Sequence, residues 1–588
     1  MASVKENQHF ILVLTRHFSV FEVMEIKQFL DKFIENPVKI FILFIFINLL
    51  PSIGLVFTEP FDIWGRVILI LFPIGLFLLI FSLLKNIGLI QLLLIPVLII
   101  HAFQIVVFYL FGEGVIAVDM FLNVVTTNVS EAGEVLHSIL ASVIFVIVVY
   151  VPAIIIAIIA FKRKVYLTGK FRLGTAIAGI VIMIGSYCLT FVANNINTNN
   201  FTLQEDVYPA DVSYNLYLAR QKWKKSSKYK ETSKDFVFNA HKKDSIGKRE
   251  IYLLVIGETG RAENWSLYGY ERDTNPRLEM DSNIVLFQDA TTQSNTTHKS
   301  VSIMLTAASA ENYSIIYKQK SIIQAFKEVG FSTVFLSNQS ANHTFTDYFA
   351  QEADHTEYYR YFNETTNNLD EILLPRLQHY LDSIQGNMFI VLHTYGSHFN
   401  YKERYPKEFS VYTPDNVTEI SRANKNILLN AYDNTILYTD NFLHNVINIM
   451  EQADACSTMF YTSDHGEDIL DDDRQRFLHA SPNPTFYQLR VPMLIWFSSE
   501  YKENYPVTVE NAIKNKSKPV SSNVVFHTIL DMANISTEYL NKERSLVSQL
   551  LETTTRMYLT DHDKPIPFYN AGLKEEDRIM VEKRNISH

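Results

Sequence analysis

Apolar residues are distributed very unevenly along this chain. Between about residues 38 and 193 they run almost without interruption, and after residue 250 they come in short bursts between polar stretches. Five runs, 38–57, 67–84, 89–111, 139–161 and 173–192, match the ~20 apolar residues that carry a helix across ~30 Å of hydrocarbon. Pro96 and Pro152 fall inside the third and fourth runs, which membrane helices accommodate. Beyond residue 250, the apolar bursts 251–256, 333–336, 388–393, 459–462 and 493–497 predict strands, and the amphipathic stretches 322–328, 369–383 and 431–452 predict helices. Near-continuous apolar strands alternating with helices predict an α/β domain with a mostly parallel central sheet covered on both faces.

The loops orient the apolar half. The loop between runs four and five carries Lys162, Arg163, Lys164, Lys170 and Arg172, and that between runs two and three carries Lys85; the loop 112–137 has neither Lys nor Arg. Positive charge marks the cytoplasmic side, so the N-terminus is expected inside and everything after residue 193 outside, in the periplasm of a Gram-negative cell. The first 37 residues are too long and too charged for a signal peptide, and Lys27 and Lys32 sit in an amphipathic stretch expected on the inner membrane surface. Arg220, Lys222, Lys224, Lys225, Lys228 and Lys230 surround Trp223 and Tyr229, a mixture that suits a helix resting on anionic lipid. The expected layout is a segment 1–37, a transmembrane domain of five helices over 38–193, an interfacial linker over 194–249 and a periplasmic catalytic domain over 250–588.

Composition narrows the class. Of the 588 residues, 48% are hydrophobic and 19% charged, below the ~25% charged of soluble domains. A net charge of −10 argues against a nucleic-acid binder. Two cysteines, Cys188 and Cys456, exclude a disulfide framework and read as buried thiols.

In such sheets the site lies at the carboxyl ends of the strands, and residues able to hold a metal collect there. Glu258 follows the first predicted strand, His393 and His398 the third, and Asp464 and His465 the fourth, with His479 in a later loop. Mixed nitrogen and oxygen donors suit zinc. The stretch 291–305 is polar and then helical from about Thr297. A hydroxyl at a helix N-terminus beside a dication can ionise near neutral pH, and the free N–H groups there receive phosphate oxygens. The acidic run 471–473 reads as a solvated loop rather than a calcium site.

The segment Gly-Glu-Thr-Gly-Arg-Ala-Glu-Asn-Trp-Ser-Leu-Tyr-Gly-Tyr-Glu-Arg-Asp-Thr-Asn-Pro over 257–276 resembles the signature of the bacterial phosphoethanolamine transferases, of the alkaline phosphatase and sulfatase superfamily. His-Thr-Tyr-Gly-Ser-His-Phe-Asn-Tyr-Lys-Glu-Arg-Tyr-Pro over 393–406 and Ser-Asp-His-Gly-Glu over 463–467 extend the likeness. The resemblance implies an inner-membrane enzyme holding one zinc tightly through Glu258, Thr297, Asp464 and His465, with Thr297 as the nucleophile. Thr296 stands beside it, and the family spacing of a Ser three residues on, here Ser300, favours Thr297. His398 and His479 match positions that contact the phosphoryl group or a second zinc, and His393 a nearby histidine. Gln293 and Ile303 stand where lipid A enzymes carry cysteines, and Ser294 replaces a Gly.

The resemblance further implies a donor, phosphatidylethanolamine, and an acceptor in lipopolysaccharide: lipid A, Kdo or another core sugar. A monomer in contact with inner-membrane lipids is expected, and resistance to cationic peptides such as polymyxin follows if lipid A or the core is modified. A metal-dependent phosphodiesterase or sulfatase-type hydrolase on the same scaffold is the alternative, although position 297 lacks the Cys-x-Pro-x-Arg of sulfatases. A non-catalytic membrane sensor is the remaining one, and it predicts loss of a ligand that this sequence keeps.

Overall fold

The computed structural model describes residues 31–126, 139–196, 201–243, 246–360, 368–417 and 420–586. Most of the N-terminal segment expected on the inner surface, Lys27 included, and the end of the loop 112–137 lie outside the described residues. The chain divides into two compact units, Met1–Tyr109 with Leu140–Tyr214, and Leu110–Ile139 with Asn215–His588.

Among the described residues of the first unit, four helices are long and apolar enough to cross a membrane: Pro37–Thr58, Ile63–Ser82, Leu140–Lys162 and Gly169–Asn195. The third expected span is instead a broken pair, Ile87–Leu93 and Ile95–Phe111, bent by 56°. Pro96 explains the break, because it has no N–H to donate back to Leu92 and its ring crowds that turn. Pro51, Pro73 and Pro152 are carried without a break. Helix starts are capped by Asn36, Asp62 and Asn86, whose side chains accept backbone N–H groups. Arg172 donates to the carbonyls of Ser82 and Leu83 at 2.8 and 2.7 Å, closing the end of the second helix.

This unit packs an apolar core around Phe44, Phe77 and Phe81, with a few polar groups buried in it, and is apolar outside as well. Asn48 donates to Gln91 at 3.0 Å in its interior, and Ile147, Val148, Val181 and Ile184 are exposed, as suits a surface covered by acyl chains. Cys188 is exposed, contrary to the buried thiol expected, because it lies on the outer face of its helix; Cys456 is buried. The helices Ile63–Ser82 and Gly169–Ile196 approach closely where Gly75 meets Gly179: a Cβ on Gly75 would lie 2.8 Å from the Gly179 carbonyl.

The second unit is built on a seven-stranded sheet, with β1 Glu250–Gly257, β2 Ile284–Leu286, β3 Ser332–Ser340, β4 His355–Arg360, β5 Met388–His393, β6 Cys456–Ser463 and β7 Met493–Phe497, ordered β2-β7-β6-β1-β5-β3-β4. From β6 to β4 every pairing is parallel; β7 and β2 run antiparallel at one edge. The sheet is therefore mixed around a parallel centre. Strands β1, β5 and β6 are buried at every position, which is why they read as unbroken apolar runs. On one face Leu254, Phe389 and Phe460 join Val301, Phe326 and Phe526 in a single core, where the rings of Phe326 and Phe389 stack at 4.2 Å.

The short edge strands β2 and β4 were not legible as strands, being three residues long in one case and only half-buried in the other. The expected strandless linker contains the helix Ala210–Ser226 and a two-residue strand, His241–Lys242, paired with Ile535–Ser536.

The glycine contact yields a test. Gly75→Ala is expected to lower the thermal midpoint of the purified protein, at a cost of about 1–3 kcal/mol for overpacking. Gly174→Ala, where nothing lies within 4 Å of the added methyl, should leave the midpoint unchanged or raise it.

Candidate metal and nucleophile centre

Register brings the candidate residues together. Ile256 of β1 pairs with His393 of β5, and Gly257 pairs with Ser463 of β6, so the residues that follow these strands leave the sheet at one level. After β1 the chain turns sharply at Thr259, whose φ of 60° is unusual for a β-branched residue. Three hydrogen bonds hold that turn. Thr259 N–H donates to Asp464 Oδ1 at 3.0 Å, its hydroxyl donates to Glu258 Oε1 at 2.7 Å, and its carbonyl accepts from Tyr432 OH at 2.7 Å.

Acceptor atoms then crowd one point. His465 Nε2 lies 3.1 Å from Asp464 Oδ2, 3.6 Å from Glu258 Oε1 and 3.2 Å from Thr297 Oγ1. Thr297 Oγ1 lies 3.5 Å from Glu258 Oε2. Asp464 Oδ2 is buried and has no hydrogen-bond donor. His465 Nδ1 is 3.0 Å from the Gly466 carbonyl, and donating there frees Nε2 as a lone pair facing the carboxylates. Glu258, His465 and His479 each place a ligand atom within 4.8 Å of the others. Two carboxylates, a hydroxyl and imidazole nitrogens directed at one point fit a zinc ion, with mixed N and O ligation.

The four histidines differ by surroundings. Burial pulls the His465 imidazole down, but the Asp464 and Glu258 carboxylates outweigh it and hold it above its ordinary value. Burial pushes His479 down to about 3, with His465 adding to the effect, and pushes His398 down to about 3 against the pull of Glu258. His393 is pushed down to about 4 by burial alone. The His479 ring is 4.1 Å from that of His465, and His398 is 6.1 Å from His479. His393 instead reaches Ser337 Oγ at 3.3 Å.

The two adjacent threonines are distinguished by geometry. Thr297 is the first residue of the helix Thr297–Leu305, and its hydroxyl enters the acceptor cluster. The Thr296 hydroxyl is 3.1 Å from Ser294 Oγ. Ser300 also donates to the Ser294 carbonyl at 2.8 Å, so the residue that replaces the family's Gly helps hold the loop.

Several neighbours escaped the sequence reading. Gln339, on β3, donates to Glu258 Oε2 at 2.8 Å. Glu467 is buried beside His479, 3.3 Å away, and burial pushes its carboxyl well above the ordinary range. Arg261 donates to Asp471 at 2.7 Å and to the Glu467 carbonyl at 3.0 Å. The run 471–473 is thus not simply a solvated loop: Asp471 pairs with a buried arginine and Asp472 with Arg474, and Asp473 is exposed. No local signal links Gln339 to Glu258, because that contact is made only across the sheet.

Residues 250–535 match the family model described as Sulfatase, and residues 74–222 match that of Phosphoethanolamine transferase EptA/EptB. The chain thus resembles the phosphoethanolamine transferases in one segment and the sulfatases in the other. Phosphoethanolamine transferase EptA of Escherichia coli strain K12 is 32% identical over 312 residues, covering 50% of this chain and 54% of that protein. This match spans about half the length of that curated relative. Phosphoethanolamine transferase EptC of the same strain is 26% identical over 449 residues, 73% of this chain and 77% of its own. Among solved structures, the lipooligosaccharide phosphoethanolamine transferase A of Neisseria meningitidis shares the fold with a TM-score of 0.69 at 23% identity, over 86% of this chain and 97% of that one. The periplasmic domain of E. coli EptC in complex with Zn gives a TM-score of 0.53 at 25% identity, over 58% and 98%.

Gly396 provides a check on the geometry. Its φ is +48°, and a Cβ there would lie 2.6 Å from the Glu258 carbonyl. Gly396→Ala is expected to cost about 2–3 kcal/mol of stability and to lower the zinc retained after dialysis, measured by elemental analysis.

Proposed function

We propose that this protein moves phosphoethanolamine from phosphatidylethanolamine to a lipopolysaccharide component, lipid A or a Kdo or core sugar, through a covalent intermediate on Thr297. The reading is carried by one observation: Thr297 Oγ1 stands at a helix N-terminus, 3.2 Å from His465 Nε2 and 3.5 Å from Glu258 Oε2. A zinc ion held by Glu258, Thr297, Asp464 and His465 would lower the pKa of the Thr297 hydroxyl and neutralise charge on the phosphoryl oxygens.

In the first step Thr297 Oγ1 bonds to the donor phosphorus, and the bond from phosphorus to the diacylglycerol oxygen breaks. Diacylglycerol leaves with a proton, and phosphoethanolamine stays on Thr297. An acceptor oxygen then bonds to the same phosphorus, the bond from phosphorus to Thr297 Oγ1 breaks, and the acceptor's proton restores the Thr297 hydroxyl. N–H groups at the start of the Thr297 helix face the phosphoryl oxygens. His479, which burial keeps neutral at pH 7, carries one N–H that can bind these oxygens or pass a proton to the leaving group, whereas neutral His398 gives its Nδ1–H to the Phe399 carbonyl at 2.7 Å and presents Nε2 as an acceptor that can take up a proton or hold a second metal. His393 supports the site from the end of β5.

The apolar helices suit this chemistry, since donor and acceptor are both lipids. We read residues 38–193 as a multi-pass anchor in the bacterial inner membrane with a cytoplasmic N-terminus, 194–249 as an interfacial linker and 250–588 as a periplasmic catalytic domain, acting as a monomer.

Intact mass after incubation with phosphatidylethanolamine tests the reading. Wild type is expected to gain one phosphoethanolamine, mapped to Thr297, and a chelator should abolish the gain. Thr297→Ala should lose the adduct, whereas Thr296→Ala should keep it. Release of diacylglycerol without any adduct would favour a hydrolase.

A further inference from the structure

A buried ion cluster adjoins the Thr297 helix and takes no part in the steps above. The helix Val118–Thr126 is seated by Asp561, whose carboxylate accepts the N–H groups of Val118 at 2.6 Å and Asp119 at 2.9 Å. These are donors of its opening turn, where a carboxylate is favoured. Asp119 in turn meets Lys299 Nζ at 2.6 Å, with His298 Nε2 at 3.4 Å and Lys222 Nζ at 3.5 Å. The Lys299 side chain is 1% exposed, and its ammonium also reaches Asp563 at 3.2 Å and the Thr560 carbonyl at 2.9 Å.

Lys299 lies in the opening turn of the helix that begins at Thr297. A cation there opposes the positive end of the helix dipole, and a buried one is tolerated only when paired. Asp119 supplies the shortest ion pair that Lys299 makes. A side chain anchored at its tip and buried along its stem leaves its own helical turn little freedom. A chain of contacts therefore runs from Asp561 through Val118–Thr126, Asp119 and Lys299 to the turn that carries Thr297.

We propose that Asp119 is a positioning residue: through Lys299 it fixes the first turn of the Thr297 helix and the direction of Thr297 Oγ1. This rests on Thr297 being the nucleophile. The segment that follows the helix Ile95–Phe111 must then be in place before the hydroxyl is aligned for attack.

The test uses the full-length protein in detergent and follows diacylglycerol release from phosphatidylethanolamine. Asp119→Asn and Lys299→Met are each expected to lower kcat about ten- to a hundredfold, the loss a small misalignment causes, with KM within about threefold. The double variant Asp119→Asn/Lys299→Met should be no worse than about threefold below the weaker single, as expected for coupled residues. Asp561→Asn, which weakens the carboxylate that accepts the Val118 and Asp119 N–H groups, should reproduce the loss in kcat. The double variant leaves no half of the Asp119–Lys299 pair behind, so it decides if a single variant melts early. Losses that multiply, a change in KM alone, or wild-type kcat in the double variant would overturn the proposal. Thr297→Ala run alongside separates the two ideas. Full turnover in it sinks the nucleophile assignment, whereas an inactive Thr297→Ala beside a fully active double variant sinks the positioning role alone.

Discussion

Backbone pairing of β1 with β5 on one side and β6 on the other holds the carboxyl ends of three strands level, and the centre depends on that registration. Ile256 faces His393 and Gly257 faces Ser463, so Glu258 and Asp464 leave the sheet side by side. A slip of one residue would turn each side chain to the other face. The strands resist slipping because they are buried on both faces, and a slip would bury the wrong residues throughout. Two carboxylates brought this close repel each other unless a cation or donors intervene. Thr259 N–H and His465 N–H satisfy Asp464 Oδ1, and the Thr259 hydroxyl and Gln339 satisfy the two Glu258 oxygens, while Asp464 Oδ2 accepts no hydrogen bond.

Environment divides labour among residues of one type. His465 lies against two carboxylates, which outweigh burial and hold its imidazole above its ordinary value, while for His398 and His479 burial outweighs the pull of Glu258 and keeps both neutral. A neutral imidazole offers one donor and one acceptor, which suits a group that must bind phosphoryl oxygens and exchange a proton. The proposed reaction would thus use one residue type on both the metal side and the substrate side of the centre.

Much of the long motif 257–276 is architecture. Glu263 bridges Arg490 and Arg584, Asn264 donates to Asp433 at 2.5 Å, Trp265 stacks on Tyr461 at 5.4 Å, and Tyr268 donates to the Phe287 carbonyl at 3.0 Å. Glu113 is similarly held by Arg476 and Lys574. Charges removed from water in this way demand their partners, so such ion pairs tie the ends of the second unit to the elements around the centre.

The chain's sequence by itself determined what depends on local pattern. Long apolar runs marked the helices of the first unit, and unbroken apolar bursts marked the central strands, because burial on all sides leaves no room for polar residues. Residues at strand ends could be named as candidate ligands, since topology rather than detail places them at one edge. Tertiary structure alone decided the break at Pro96, the edge strands β2 and β4, and the reach of Gln339 to Glu258. It alone brought Asp119 to Lys299, 180 positions apart by their numbers. These outcomes rest on contacts between segments distant along the chain, and sequence periodicity carries no record of such partners.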